Sequence, residues 1–134
     1  MSIELLHQLA SLLSEPGDPC NYGCEESEVE RMLLGLTQKP KRIRVVKNWV
    51  IWKLNVSDFE AIGLDTLGLK NMMIYGTIAY DSIDKWSPGL SVRSTLLVDF
   101  RESCIFETKN TNYILLGSGT IKSVDPNAAL SICF

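Results

Sequence analysis

The chain has 134 residues, of which 46% are hydrophobic and 22% are charged, and its formal net charge at pH 7 is −3. This length and composition are typical of one globular domain with its own core and exclude a disordered chain. The mild acidity disfavours nonspecific attraction to nucleic acid or anionic lipid. Because no apolar run approaches the roughly 18 residues that cross a bilayer, and the N-terminus lacks the basic region of a signal peptide, we expect a cytoplasmic protein.

Two helices are predicted in the first 40 residues. Leucines recur at three- and four-residue spacing from Leu5 to Leu13 and form an apolar stripe, which an E-P-G sequence at 15–17 ends. The apolar residues from Val29 to Leu36 repeat this spacing, and glutamates precede them where a helix N-terminus favours negative charge. We expect the second helix to stop near Lys39-Pro40.

From residue 41 onward the sequence predicts strands. R-I-R-V-V and N-W-V-I-W-K-L are rich in β-branched and aromatic residues, and Lys47-Asn48 between them is either a turn or a bulge within one long strand. The S-D-F-E sequence at 57–60 matches a capping box and predicts a short helix or turn. The later strand candidates are MMIYGTIAY, LSVRSTLLVDF, CIFET, NYILLG and, more weakly, TIKSV.

These strands indicate a sheet with one packed face and one solvated face. In SVRSTLLVDF, Val92, Leu96 and Val98 share one parity, and polar residues mostly fill the other. The short connections D-F-R-E-S and K-N-T favour antiparallel hairpins. We predict an α+β fold in a single domain, helical over 1–40 and a sheet over 41–134. Two N-terminal helices pack on a curved antiparallel sheet of five to six strands, which is open or partly closed into a barrel.

The G-S-G-T sequence at 117–120 raises the question of a phosphate-binding loop. Such a loop needs G-x4-G-K-[ST] and a following helix that points its N-terminus at the anion, and neither is predicted here. We therefore expect a β-hairpin turn at Ser118-Gly119 that uses glycine at positive φ.

Cysteine and histidine do not form a recognisable metal or catalytic pattern. C-N-Y-G-C at 20–24 is the only close pair among four cysteines, and the single histidine, His7, lies in a predicted amphipathic helix. No nucleophile elbow such as G-x-S-x-G is present. We expect buried or incidental thiols, no metal, no cofactor and no enzymatic activity.

Four carboxylates lie near predicted strand ends, where two of them could meet across a cleft as an acid and a base: Asp81, Asp84, Asp99 and Glu102. Aspartate is common in turns because it hydrogen-bonds to its own backbone. We therefore interpret all four as solvated turn residues.

Charge is distributed unevenly along the chain. Residues 1–38 contain seven acidic residues and one arginine, whereas residues 39–53 contain six basic residues and no acidic one. One interpretation is that the basic strand packs near the acidic helix and is neutralised. The alternative is a nucleic-acid-binding edge that uses Lys41, Arg42, Arg44 and Trp49, with base stacking on the tryptophan.

The loop DSIDKWSPGL places Trp86 between charged residues and a Ser-Pro-Gly sequence. An aromatic side chain on a loop is typical of an interface anchor. The other interpretation is that Trp86 folds back over the end of the barrel. Both remain open from the sequence.

The C-terminal half contains a T-x-N-[ST]-x-Y-x-L pattern, formed by Thr108, Asn110, Thr111, Tyr113 and Leu115. In this pattern it resembles small bacterial domains of unknown function that are frequent in phage and prophage genomes. The resemblance implies that the protein is encoded in a phage or prophage genome, and it identifies no catalytic residue.

The leading hypothesis is a non-catalytic protein-binding module, similar to the anti-CRISPR proteins with which phages block a bacterial defence complex by occlusion. Its partner would be a host protein or nucleoprotein complex with a basic surface. Glu25, Glu26 and Glu28 would face that surface, with Tyr22 and Trp86 as apolar anchors. The alternatives are a small nucleic-acid-binding β-barrel and an immunity protein that neutralises a toxin.

Overall fold

The computed structural model describes residues 3–38 and 40–132. Within these ranges the chain forms four helices and eight strands. The helices are α1 (Ile3–Ser14), α2 (Glu26–Leu36), α3 (Asp58–Thr66) and α4 (Pro126–Leu130). The strands are β1 (Asp18–Pro19), β2 (Arg42–Leu54), β3 (Met72–Asp81), β4 (Ser91–Arg93), β5 (Leu97–Arg101), β6 (Ile105–Thr108), β7 (Thr111–Leu115) and β8 (Thr120–Val124).

The sheet is built around the long strand β2. One edge of β2 pairs with β3, which in turn pairs with β4. Along the other edge, β7 pairs with residues 42–46 and β8 pairs with residues 50–54. β6 and β5 continue outward from β7, and β1 continues from β8. The result is an open, strongly curled half-barrel, so the predicted α+β fold with a curved sheet is confirmed.

Two of the strand directions differ from the antiparallel prediction. β7 and β8 both run parallel to β2, whereas the β5–β6 and β6–β7 pairs are antiparallel hairpins as expected from their short connections. Since β7 and β8 run in the same direction, the expected hairpin at Ser118-Gly119 is wrong. Residues 116–119 instead carry the chain from the first half of β2 to its second half.

A bulge, not a turn, interrupts β2. Its register against β3 shifts between Lys47 and Val50, and Asn48 lies in the left-handed region at φ 51°. Asparagine tolerates this conformation better than most residues. The bulge lies at the level of the connection between β7 and β8, so it bends the strand where its partner changes.

The predicted strand at 90–100 is divided in two. Ser94, between β4 and β5, is buried, and its Oγ accepts a hydrogen bond from the Ile74 N–H at 2.9 Å and donates one to the Thr95 carbonyl at 2.7 Å. A side chain therefore takes the place of a strand bond at this point. β4 stays with β3, and β5 crosses to pair with β6.

Two hydrophobic clusters lie on opposite faces of β2. Adjacent strand residues point to opposite faces, and accordingly Ile51 belongs to the first cluster and Trp52 to the second. Met32 and Leu36 of α2 cover the first cluster. α1 and α4 cover the second, through Leu12 and two buried alanines of α4.

Local capping signals explain the two short helices. Ser57 caps α3: its Oγ accepts a hydrogen bond from the Glu60 N–H at 3.1 Å, and Glu60 Oε1 accepts one from the Ser57 N–H at 3.3 Å. This confirms the predicted capping box. α4 was not predicted, although Asp125 caps it and Pro126 occupies its first position, which is a recognised start signal.

Candidate protein-binding surface

Both arginines of β2 form ion pairs within the fold, whereas Lys47 and Lys53 of the same strand are exposed. Arg42 donates from Nε to Asp81 Oδ1 at 2.9 Å, and Arg44 donates from Nε to Asp81 Oδ2 at 3.0 Å. Burial disfavours the charged carboxylate, but these bonds and two from the backbone N–H groups of Ile83 and Asp84 outweigh it and hold the pKa of Asp81 well below its usual range. Asp81 is 6% exposed, so its interpretation as a solvated turn residue is wrong.

Lys41 has a partner of its own. Its Nζ lies 2.5 Å from Glu107 Oε2 of β6 and donates to the Thr108 carbonyl at 3.1 Å. Arg101 pairs with the other oxygen of Glu107. The hydrogen bond from Lys41 lowers the pKa of Glu107, and this effect is larger than that of burial, which raises the pKa. The acids that pair with Lys41, Arg42 and Arg44 are therefore Asp81 and Glu107, not those of α2.

Trp49 is part of the core. Its side chain is 1% exposed, and Nε1 donates to the Gly117 carbonyl at 3.3 Å. A Cβ placed on Gly119 would lie 2.3 Å from Cδ2 of this indole, which explains why glycine occupies that position. Because its ring is covered, Trp49 offers no face to a nucleic acid base in this structure. Among the proposed nucleic-acid contacts, Lys41, Arg42 and Arg44 are paired and Trp49 is buried.

The loop between β3 and β4 is held by a chain of internal hydrogen bonds. Asp81 Oδ1 accepts from the Ile83 N–H at 3.0 Å and from the Asp84 N–H at 3.3 Å. The Asp84 carboxylate accepts from the Trp86 N–H and from the Ser87 hydroxyl, both at 2.9 Å, and Ser87 is buried. Hydrogen bonds thus connect the ion pair at the start of β2 to the backbone of residues 82–90.

Trp86 stands on this loop with its side chain in solvent. The residue is 81% exposed, which supports the anchor interpretation over the alternative that it folds back on the barrel. Ile83 and Leu90 on the same loop are also exposed, and Lys85 Nζ lies 5.9 Å from the centre of the Trp86 ring. The loop therefore presents three apolar side chains on an anchored backbone.

The other proposed contacts lie on the segment around the start of α2. Tyr22 is 42% exposed, and its ring packs edge to face on Phe100 of β5 at 4.8 Å between centroids. Glu25, Glu26 and Glu28 are exposed in and before the first turn of α2. Glu28 Oε1 also accepts from the Glu25 N–H at 3.3 Å, so these two residues cap the helix in addition to carrying charge.

The thiols are in the core. Cys24 and Cys104 are buried, and burial raises the pKa of Cys104 to about 12. Cys20 is half-buried, and Cys133 lies outside the described residues.

Within the described ranges, no three His, Cys, Asp or Glu side chains are grouped so as to hold a metal ion. Lys39, near which we expect the second helix to stop, also lies outside these ranges, and α2 ends at Leu36.

A second feature, which the sequence did not predict, is an apolar groove beside α3. It has a volume of about 830 Å³ and lies between α3, the end of β2 and α4. α3 buries none of its residues, and Phe59 is 86% exposed. The sequence did contain one relevant signal. The helix after Ser57 is capped, but its apolar residues do not form a single stripe that would pack against the core.

Among the described residues, no helix is both long and apolar enough to span a membrane.

No curated protein and no solved structure matches the chain significantly. A family match does exist over residues 21–131, which includes α2 and all the strands except β1, and therefore extends beyond the C-terminal half. The motif residues Thr108, Thr111, Tyr113 and Leu115 are buried in the β6–β7 hairpin, so they are structural. The chain belongs to the family described as domain of unknown function DUF6957.

Proposed function

We propose that this domain is a non-catalytic protein-binding module whose loop 82–90 contacts the partner, with Trp86 as the central anchor. The observation that supports this most directly is the 81% exposure of an indole on a loop that is anchored by buried groups. Tryptophan is among the residues most enriched where binding energy concentrates in protein interfaces.

The anchoring of the loop bears on affinity. Binding normally costs free energy for ordering the loop and its side chains. The hydrogen bonds from Asp81 and Asp84 to the loop backbone reduce the number of conformations that a partner would have to select. An ordered loop of this kind lets a small contact area bind more tightly than a flexible loop of the same composition.

The chemistry of the partner follows from the charges. The first turn of α2 is acidic and exposed, and Lys41, Arg42 and Arg44 of the basic segment are ion-paired internally, which favours a partner with a basic surface. A phage-encoded inhibitor that occludes a host defence complex is the finer proposal, which rests on the resemblance of the sequence alone. An immunity protein for a basic toxin belongs to the same class.

The test is affinity capture from a lysate of the encoding organism with the wild type, Trp86→Ala and Ile3→Ala. Ile3 is an exposed apolar residue of α1 and serves as the matched control. A specific partner should be retained by the wild type and Ile3→Ala, and we expect at least about tenfold weaker binding by Trp86→Ala.

Equal retention of the partner by all three proteins would remove Trp86 from the interface. Capture of nucleic acid without protein, with a gel shift that weakens steeply as salt rises, would instead support the nucleic-acid alternative.

A further inference from the structure

The groove beside α3 has the size and lining of a small-molecule site. At about 830 Å³ it falls within the range of roughly 300–1,000 Å³ that is usual for ligand pockets. Apolar side chains from four parts of the chain line it: Leu54, Val56, Leu64, Leu69, Met73 and Leu96. Such a lining favours an alkyl or similarly apolar ligand body.

Gly63 keeps one wall of the groove open. It lies in the interior of α3, where glycine costs about 0.5–1 kcal/mol relative to alanine. A Cβ at this position would have no neighbour within 4 Å, so no close packing requires glycine there. The missing side chain therefore leaves free volume along the groove.

Two cations line the same groove. Arg93 donates to the carbonyl oxygens of Ile132 at 2.9 Å and of Ser94 at 3.2 Å, and Lys109 follows the last residue of β6. Within the described ranges, neither has a carboxylate at ion-pair distance, whereas Arg42 and Arg101 do. The carbonyl oxygens satisfy donors of Arg93 without balancing its positive charge, so the guanidinium can still attract an anion.

The acid of the groove is already engaged, and the cations come from one side. Glu60 accepts hydrogen bonds from the backbone and the hydroxyl of Ser57. Arg93 ends β4, and Lys109 follows Thr108, which lies opposite Leu97 across the β5–β6 pair. Arg93 and Lys109 therefore lie on one side of the groove, and the α3 side is apolar except for Glu60, whose carboxylate is turned to Ser57 by these hydrogen bonds.

We propose that this groove binds an amphiphilic carboxylate, with its alkyl chain against α3 and its carboxylate beside Arg93 and Lys109. The ligand combines the two chemistries of the groove, an apolar channel and two cations that form no ion pair with a carboxylate of the described residues. This site is separate from the proposed protein contact at Trp86.

The first test is calorimetric titration of the full chain with octanoate, decanoate and dodecanoate below their micelle concentrations. We expect one site per chain, with an affinity that rises roughly fourfold for each added methylene. Dodecyltrimethylammonium, which has the same chain length and the opposite charge, should bind at least about tenfold more weakly than dodecanoate.

Two variants locate the site. Gly63→Phe should fill the groove and abolish dodecanoate binding, and Gly35→Phe on α2, where an added Cβ also meets nothing within 4 Å, should bind like the wild type. Lys109→Gln, an exposed change that leaves the fold intact, should weaken dodecanoate about tenfold and leave the binding of dodecanol unchanged.

Absence of binding by the wild type, equal binding of the anionic and cationic chains, or wild-type affinity in both Gly63→Phe and Lys109→Gln would overturn the proposal.

Discussion

At the scale of single residues, Asp81 links the basic strand to the loop that carries Trp86. Its carboxylate accepts from two arginines and two backbone N–H groups, and its side chain is fully buried. A buried carboxylate held in this way stabilises the fold only while it is charged. The same residue therefore affects both stability and the shape of the proposed contact.

Asp81→Asn should destabilise the protein by about 3 kcal/mol at pH 7, because two partly buried arginines lose their counter-charge. The pKa of Asp81 is lowered by folding, so the stabilisation is present above the ordinary aspartate pKa of about 3.9 and is lost as pH falls below it. Urea denaturation from pH 7 to pH 3 measures the free energy of unfolding of both proteins. The difference between wild type and variant should narrow below about pH 4.

The control for this experiment is Asp99→Asn. Asp99 pairs with Arg101 at 3.3 Å but is exposed, so we expect a change within about 0.5 kcal/mol. Equal midpoints for the two variants would contradict the role given to Asp81.

Gly119 and Gly35 should respond to alanine with opposite signs. At Gly119 the new Cβ would lie 2.3 Å from the buried Trp49 ring, so Gly119→Ala should cost about 3 kcal/mol or more. At Gly35 in α2 nothing lies within 4 Å, so Gly35→Ala should stabilise by about 0.5–1 kcal/mol. Chemical denaturation of both variants measures this, and a stable Gly119→Ala protein would show that Trp49 can move.

At the scale of elements, α3 depends on its cap more than on packing. It buries none of its residues, whereas α2 buries Met32 and Leu36. A helix without buried contacts is expected to open locally without unfolding of the sheet. α3 is therefore the part of the groove wall with the lowest local stability.

Ser57→Ala should reveal this local opening. Loss of the cap costs about 1 kcal/mol, so amide hydrogen exchange in residues 58–66 should accelerate about fivefold while exchange in β2 stays unchanged. Mass spectrometry of peptides from these two segments measures the difference. Ser27→Ala in the first turn of α2 is the control. If Ser57→Ala accelerated hydrogen exchange in β2 as much as in residues 58–66, α3 would unfold only together with the whole domain.

At the scale of the whole molecule, charge is segregated even after internal pairing. Asp81 and Glu107 pair with Lys41, Arg42 and Arg44. Among the described residues, the exposed glutamates around α2 have only Arg31 as an ion-pair partner, so this area stays predominantly acidic. Such an area attracts a basic partner at long range and affects association more than dissociation.

Glu26→Lys with Glu30→Lys should slow association with a captured partner about tenfold at low salt, with dissociation changed less than about threefold. These positions leave the capping residues Glu25 and Glu28 in place. Stopped-flow or surface-based kinetics across a salt series measures both rates, and the difference should shrink as screening increases. Glu4→Lys on α1 with Glu15→Lys immediately after α1 has the same net charge and serves as control. Association rates that respond equally to both pairs would attribute the effect to net charge alone.

The elements that can be predicted from the sequence are those whose signals act over a few residues. The apolar spacing of α1 and α2, the capping box at Ser57 and the short β5–β6 and β6–β7 connections all operate locally, and each appears in the structure. The tertiary structure alone decided which strands run parallel, because β2 meets β7 and β8 only after some 60 intervening residues. It also decided that Arg42 reaches Asp81, 39 positions away, and that Trp49 is buried against Gly119. Ion pairing, burial and the groove beside α3 depend on contacts between distant parts of the chain, and local residue patterns carry no record of such contacts.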